Sequence, residues 1–206
     1  MGGISQDLSF DCHRVPPLAS VVDEADARAE QAFCSIDFSS TSVAICPKTW
    51  STSPGALVYD LKGTTWAGRA QDFERETCTD GRKSLREASA ELAIFKNSLN
   101  GRETSGTFAP SSLLYYHFSR LLQTRLQVPV AVFAEFPVTP YLQRVVEPGL
   151  KASESPRLKM LQAGWREMHL ALSDPAAFPH RRELFTDDNA RLWGMLLLED
   201  GRRYGP

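Results

Sequence analysis

The stretch "VPVAVFAEFP", residues 128–137, constrains the fold more than any other part of the chain. Prolines at 129 and 137 bound an apolar, β-branched and aromatic run that is short enough for a strand. It is apolar on both faces, so it lies inside a sheet or is covered by the segment before it. That segment, "FAPSSLLYYHFSRLLQTRL", opens on Pro110 and two serines and continues with Leu114, Phe118, Leu121 and Leu122 on one face. The spacing predicts an amphipathic helix packed across a sheet.

The remaining pattern extends this pair into a layered fold. "VVDEADARAEQAF" follows the prolines of "VPPLAS" and reads as a peripheral helix, with Val22, Ala25, Ala29 and Phe33 near helical spacing. Residues 39–54 are rich in serine, threonine and proline and read mostly as loop around a short strand candidate, "SVAIC". "GALVYDLKGTTWAG" predicts a strand from Ala56 to Leu61, a turn at Lys62-Gly63 and a second β-prone piece from Thr64 to Trp66, together a hairpin. "TDGRKSLREASAELAIFKN" gives a turn at Asp80-Gly81, a helix-prone stretch and a strand ending at Lys96, before the polar linker "NSLNGRETSG". "PRLKMLQAGWREMHLAL" predicts a helix burying Leu158, Leu161, Trp165, Met168 and Leu172. "RLWGMLLLEDGRRYG" reads as a strand and a turn at Asp200-Gly201, and a hairpin cut there leaves strand groups unpaired, which predicts a fragment's end.

The expected class is therefore α+β: a mostly antiparallel sheet with a packed crossing helix and additional helices. Two regions are expected. An N-terminal peripheral helix with loops spans 1–38, and an α+β unit spans 39–206, with a helical insertion around 150–175 and an incomplete C-terminus.

Composition removes some function classes. With 206 residues, 42% of them hydrophobic, the chain can bury a core. Its 23 basic and 25 acidic residues are interspersed and sum to −2, so there is no basic field for nucleic acid or an anionic membrane. No run approaches the length of a membrane span, and "MGGISQDLSF" lacks the charged and apolar regions of an export signal, so a soluble protein of unassigned compartment is expected. The start misses the N-myristoylation pattern by one place and is read as chance. Cys12, Cys34, Cys46 and Cys78 are scattered without C-x-x-C spacing, which argues against structural zinc. They are expected to be unpaired buried thiols; two disulfides in any of three pairings are the alternative in an exported protein.

Within "ELAIFKNSLNG", Lys96 admits two readings. It is a strand-edge lysine whose stem packs while its head meets water, or a cation carried by a rigid strand into a cleft. Other polar residues read more plainly. Lys62 is a turn residue, and His117 a partly buried core residue in mid-helix. His169 and His180 are too irregularly placed for a metal pair. "TDDN", residues 186–189, is turn chemistry opening the strand that follows, and the arginine pairs 181–182 and 202–203 are solvated charges.

The order of hairpin, strand ending in lysine, linker, helix and apolar strand resembles the small lobe of a protein-kinase-like fold. "SSLLYYHFSRLLQTRLQVPVAVFAE" is similar to atypical kinases related to the HipA toxins, the phosphoinositide kinases and the secretory-pathway kinases, through Arg120-Leu121-Leu122, Val128-Pro129 and the upstream Lys96. The resemblance covers roughly residues 55–136. It implies that Lys96 holds phosphates of ATP with magnesium, that the turn bearing Gly63 and Gly68 covers them, and that "GMLLLED" leads toward the adenine. Ser112 stands where the family has a helix glutamate, and the nearest acids, Glu91 and Glu103, lie off the helix. No catalytic loop or metal-binding aspartate motif is present, so the resemblance implies nucleotide binding without catalysis and a C-terminal lobe as partner. A non-enzymatic interaction domain is the second expectation, with Lys96 solvated and an apolar patch exposed to a protein partner. A hydrolase using His117 as base is the least supported, since no G-x-S-x-G accompanies it.

Overall fold

The apolar runs become strands of a single sheet in a computed structural model that describes residues 8–15, 24–101, 103–104, 106–124, 126–153 and 159–198. The chain begins with β1 (Asp11–His13), α1 (Glu24–Cys34), β2 (Val43–Pro47) and β3 (Gly55–Asp60). Two short helices follow, α2 (Ala70–Thr77) and α3 (Gly81–Glu87), then β4 (Ala90–Lys96), α4 (Pro110–Leu121) and β5 (Ala131–Pro137). After β5 comes a helical segment: α5 (Val138–Tyr141), a π-helical turn (Leu142–Val146), α6 (Glu147–Ala152) and α7 (Lys159–Ser173). A 3-10 turn (Arg181–Glu183) leads to β6 (Arg191–Leu197). All strand pairs are antiparallel in the order β1-β5-β6-β4-β3-β2, so the α+β class holds.

Two pairings differ from expectation. The hairpin partner of β3 is β2, running from Val43↔Asp60 to Pro47↔Ala56. Residues 64–66 form a turn instead, because the Thr64 hydroxyl donates to the Leu61 carbonyl (2.8 Å) and accepts from the Trp66 N–H (3.1 Å), and side-chain bonds of this kind compete with a ladder. Strand β6 is no half of a cut hairpin. It lies mid-sheet, with Ile94↔Leu197 on one side and Ala131↔Leu197 on the other, which is why its residues are apolar almost throughout. The Asp200-Gly201 turn, the 202–203 arginine pair and Leu158 lie outside the described residues.

The period-2 alternation of the strands divides the core between two faces. On one, Phe95 and Phe136 meet edge to face at 4.8 Å, and Phe136 meets Phe38 at 4.9 Å, beneath α5, α6 and α7. As expected, α7 buries Leu161, Trp165, Met168 and Leu172. On the other face, Leu57, Tyr59 and Ile94 pack with Phe73 of α2, while Met195 and Leu197 pack with Tyr116 of α4.

Helix α4 crosses the sheet with the opposite side inward from the one expected. It buries Tyr116, His117 and Ser119 and leaves Leu114, Phe118, Leu121 and Leu122 exposed. The cause is α1, whose buried residues are Asp26, Glu30 and Phe33 in place of the alanine stripe. Tyr116 donates its hydroxyl to Glu30 Oε1 at 2.9 Å, and Arg120 grips both Asp26 carboxylate oxygens at 2.6 and 3.0 Å. Removing Arg120 would take this counter-ion from the buried Asp26 carboxylate, so the network favours the way α4 faces.

The four cysteines form two disulfides, Cys12–Cys34 and Cys46–Cys78, where unpaired thiols were expected. The Cα separations of 5.3 and 5.0 Å suit such bonds. Neither pairing follows from spacing, because each joins elements that meet only after folding: β1 with α1, and β2 with the end of α2. The exposed edge of β2 is closed by a side chain. Glu74 of α2 accepts the Ile45 N–H at 2.9 Å and is held by Arg144 at 2.6 and 3.0 Å. Among the described residues, no helix is long and apolar enough to cross a membrane.

Candidate functional site

Lys96 ends β4, which is a central strand with β3 on one side and β6 on the other. Its register partners are Gly55 and Met195. Met195 packs with Tyr116 and Ala109, so Lys96 sits on the sheet face that carries α4. The side chain is half-buried and lines a cavity of about 180 Å³ with Lys48, Ser51, Ser53, Pro54, Gly55 and Thr107.

The register explains how these residues come together. Strands β2 and β4 both run antiparallel to β3, so both deliver their last residues to the same end of the sheet. Lys48 follows β2, and its N–H bonds the Gly55 carbonyl at 2.9 Å. Lys48, Gly55 and Lys96 therefore form one row across the sheet, and all three fall on one face by alternation. The middle position has no side chain, so the space between the two lysines is floored by backbone.

The loop between β2 and β3 walls the cavity and is held from two directions. Thr107, on the linker to α4, donates to the Ser53 hydroxyl at 2.7 Å. Pro54 packs so closely on Gly164 of α7 that a Cβ there would stand 2.9 Å from the proline ring. The two ends of the linker are tied together, since Leu99 and Thr107 exchange backbone hydrogen bonds at 3.0 and 2.9 Å and Ser98 accepts the Ala109 N–H at 3.0 Å.

Other candidates fall elsewhere. Gly63 and Gly68, expected to cover phosphates, lie beyond the far end of β3, where Asp60 pairs with Ala90 at the start of β4. They are at the opposite end of the sheet from Lys96. Their positive φ angles of 76° and 79° serve the turn into α2. Lys62 is a turn residue there, its N–H bonded to Asp60 Oδ1. Ser112 stays in the first turn of α4, and the acids that meet α4 come from α1.

His117 is buried in α4, and burial pushes its pKa down from 6.5. The nearby Ser119 gives its hydroxyl proton to the Tyr116 carbonyl, so this pair offers no activated nucleophile. His169 stands beside Ser173 on α7, and His180 lies 3.6 Å from Glu183. In residues 186–189, Asp188 accepts from the Thr186 hydroxyl and the Ala190 N–H, which is the turn chemistry expected.

Sequence reading missed Lys48, Ser51, Ser53 and Thr107. One signal was present: "AICPK" and "AIFK" are both apolar strands that exit into a lysine. Strand direction and register turn that repetition into a shared site, and neither is written in either segment alone. The chain matched no known family model, no curated protein and no solved structure.

Proposed function

We propose that this chain is the nucleotide-binding lobe of an atypical-kinase-like fold, in which Lys96 holds the phosphates of ATP. One observation carries the reading: a lysine at the end of a central strand, on the same face as the crossing helix, lines a preformed cleft of hydroxyls and backbone. A fixed cation in a partly dry site is what phosphate binding needs, since positioning and electrostatics dominate phosphoryl chemistry. The lining offers ammonium and hydroxyl groups in place of carboxylates, so magnesium enters as the companion of the phosphates. The role proposed is binding; no residue is assigned as a base. The two disulfides favour an oxidising compartment, which suits the secretory-pathway branch of the resemblance.

Thermal unfolding with ATP and magnesium tests this. At a hundredfold excess over Kd the wild-type Tm should rise by roughly 5–10 °C, and Lys96→Met should lose the rise when each protein is compared with its own ligand-free Tm. No rise in either protein would sink the reading.

A second reading rests on a different surface. Tyr115, Phe118, Leu122 and Leu126 of α4 and its exit line an apolar groove, and Leu122 is 68% exposed. A face of this kind on a monomer marks a docking surface for a protein partner, consistent with an interaction domain.

A further inference from the structure

We infer that Lys48 is the second phosphate ligand of the Lys96 cleft, so that the site selects an oligophosphate, a diphosphate or longer, over a single phosphate. The inference rests on the nucleotide reading in taking Lys96 as a phosphate ligand, and adds what that ligand must look like.

Three observations carry it. The first is the row itself: Lys48 bonds Gly55 through its N–H, and Gly55 pairs with Lys96, so the lysine Cα atoms stand two strand spacings apart, roughly 10 Å. Two flexible ammonium stems starting that far apart converge on neighbouring phosphates without crowding. Placing both on one phosphate would press two like charges together, whereas a chain of phosphates gives each lysine its own anion. The second is the floor. Gly55 leaves the gap open, and a Cβ there would come within 2.7 Å of the Phe95 carbonyl oxygen, so the strands' close approach and the open gap depend on the same glycine.

The third is size and lining. At about 180 Å³ the cavity falls below the range of roughly 300–1,000 Å³ for sites that enclose a drug-sized ligand, so it suits a phosphate chain and leaves a base outside. Hydroxyls of Ser51 and Ser53 stand around it, the Thr107 proton going to Ser53, and no carboxylate is among its described lining residues. The Thr107–Ser53 bond and the Pro54–Gly164 contact hold these walls before any ligand arrives, which lowers the ordering cost of binding.

The test is calorimetric titration of the whole chain with tripolyphosphate, pyrophosphate, orthophosphate and ATP at constant ionic strength, each run both without divalent cations and with magnesium. Wild-type protein should bind tripolyphosphate at least tenfold tighter than orthophosphate. Lys48→Met should weaken tripolyphosphate about tenfold and leave orthophosphate unchanged, with Lys48→Arg restoring most of the loss. Equal tripolyphosphate affinity in wild type and Lys48→Met, or orthophosphate bound as tightly as tripolyphosphate, overturns the pairing. ATP binding lost in Lys96→Met but intact in Lys48→Met leaves the nucleotide reading standing without it. Tripolyphosphate binding that needs both lysines, with ATP failing to bind, keeps the pair and sinks the nucleotide reading. No binding of any probe overturns both.

Discussion

His117 shows how a single residue can carry a pH signature for the fold. It is buried in α4 with Nε2 unpartnered, its ring centroid 4.7 Å from that of Tyr116. Burial lowers its pKa, and the Glu30 carboxylate facing it from α1 offsets this only in part. The folded protein thus keeps the ring neutral at a pH where the unfolded chain has already taken a proton. The contribution to stability is complete above the unfolded value of about 6.5 and is lost progressively as pH falls from there to the lower folded value. Below the folded value this group costs nothing more. His117→Gln, polar but non-titrating, should flatten that part of the acid-side decline. Melting wild type and variant at pH 8, 6.5 and 5 checks it, and curves that fall in parallel would acquit the histidine.

At the scale of elements, the docking of α1 on α4 is held by charge as much as by apolar contact. Asp26 is almost fully buried and Arg120 is about a quarter exposed, and the guanidinium also covers the Tyr116 ring at 5.0 Å. Asp26→Asn should cost about 2–3 kcal/mol, because it removes the carboxylate charge that the partly buried arginine grips through two hydrogen bonds. In a double-mutant cycle with Arg120→Gln the coupling should be about 1–2 kcal/mol, read from urea unfolding. Additive losses would mean that the ion pair contributes little to this contact. The same helices mark the limit of sequence reading. Strand β5, the end of β4 at Lys96 and the buried stripe of α7 were legible, because period and bounding residues decide them locally. In α4 the periodicity was correct, yet it could not say that two acids on α1 would claim the opposite side. The disulfide pairs and the Lys48–Lys96 row were hidden for a related reason: each depends on which distant segments become neighbours.

For the whole molecule, two helices with comparable apolar stripes are used in opposite ways. Helix α7 turns Leu161 and Trp165 into the core, with Leu161 only 4% exposed, and its stripe helps close one face of the sheet. Helix α4 crosses the other face and turns Leu114, Phe118 and Leu122 outward, beside exposed Tyr115 and Leu126. A continuous apolar surface on that scale serves the fold nothing, because transfer from water stabilises only the area actually buried. The docking reading proposed above would use it in association, as a face that the rest of the described chain leaves uncovered. Stability measurements separate the two roles. Leu161→Ala should cost about 2–5 kcal/mol through lost burial and a residual cavity. Leu122→Glu, at a side chain already in water, should change unfolding free energy by less than about 0.5 kcal/mol. Urea unfolding of both variants reads the difference. A loss of 2 kcal/mol or more in Leu122→Glu would place that stripe within the packed core and remove the docking surface from the second functional reading.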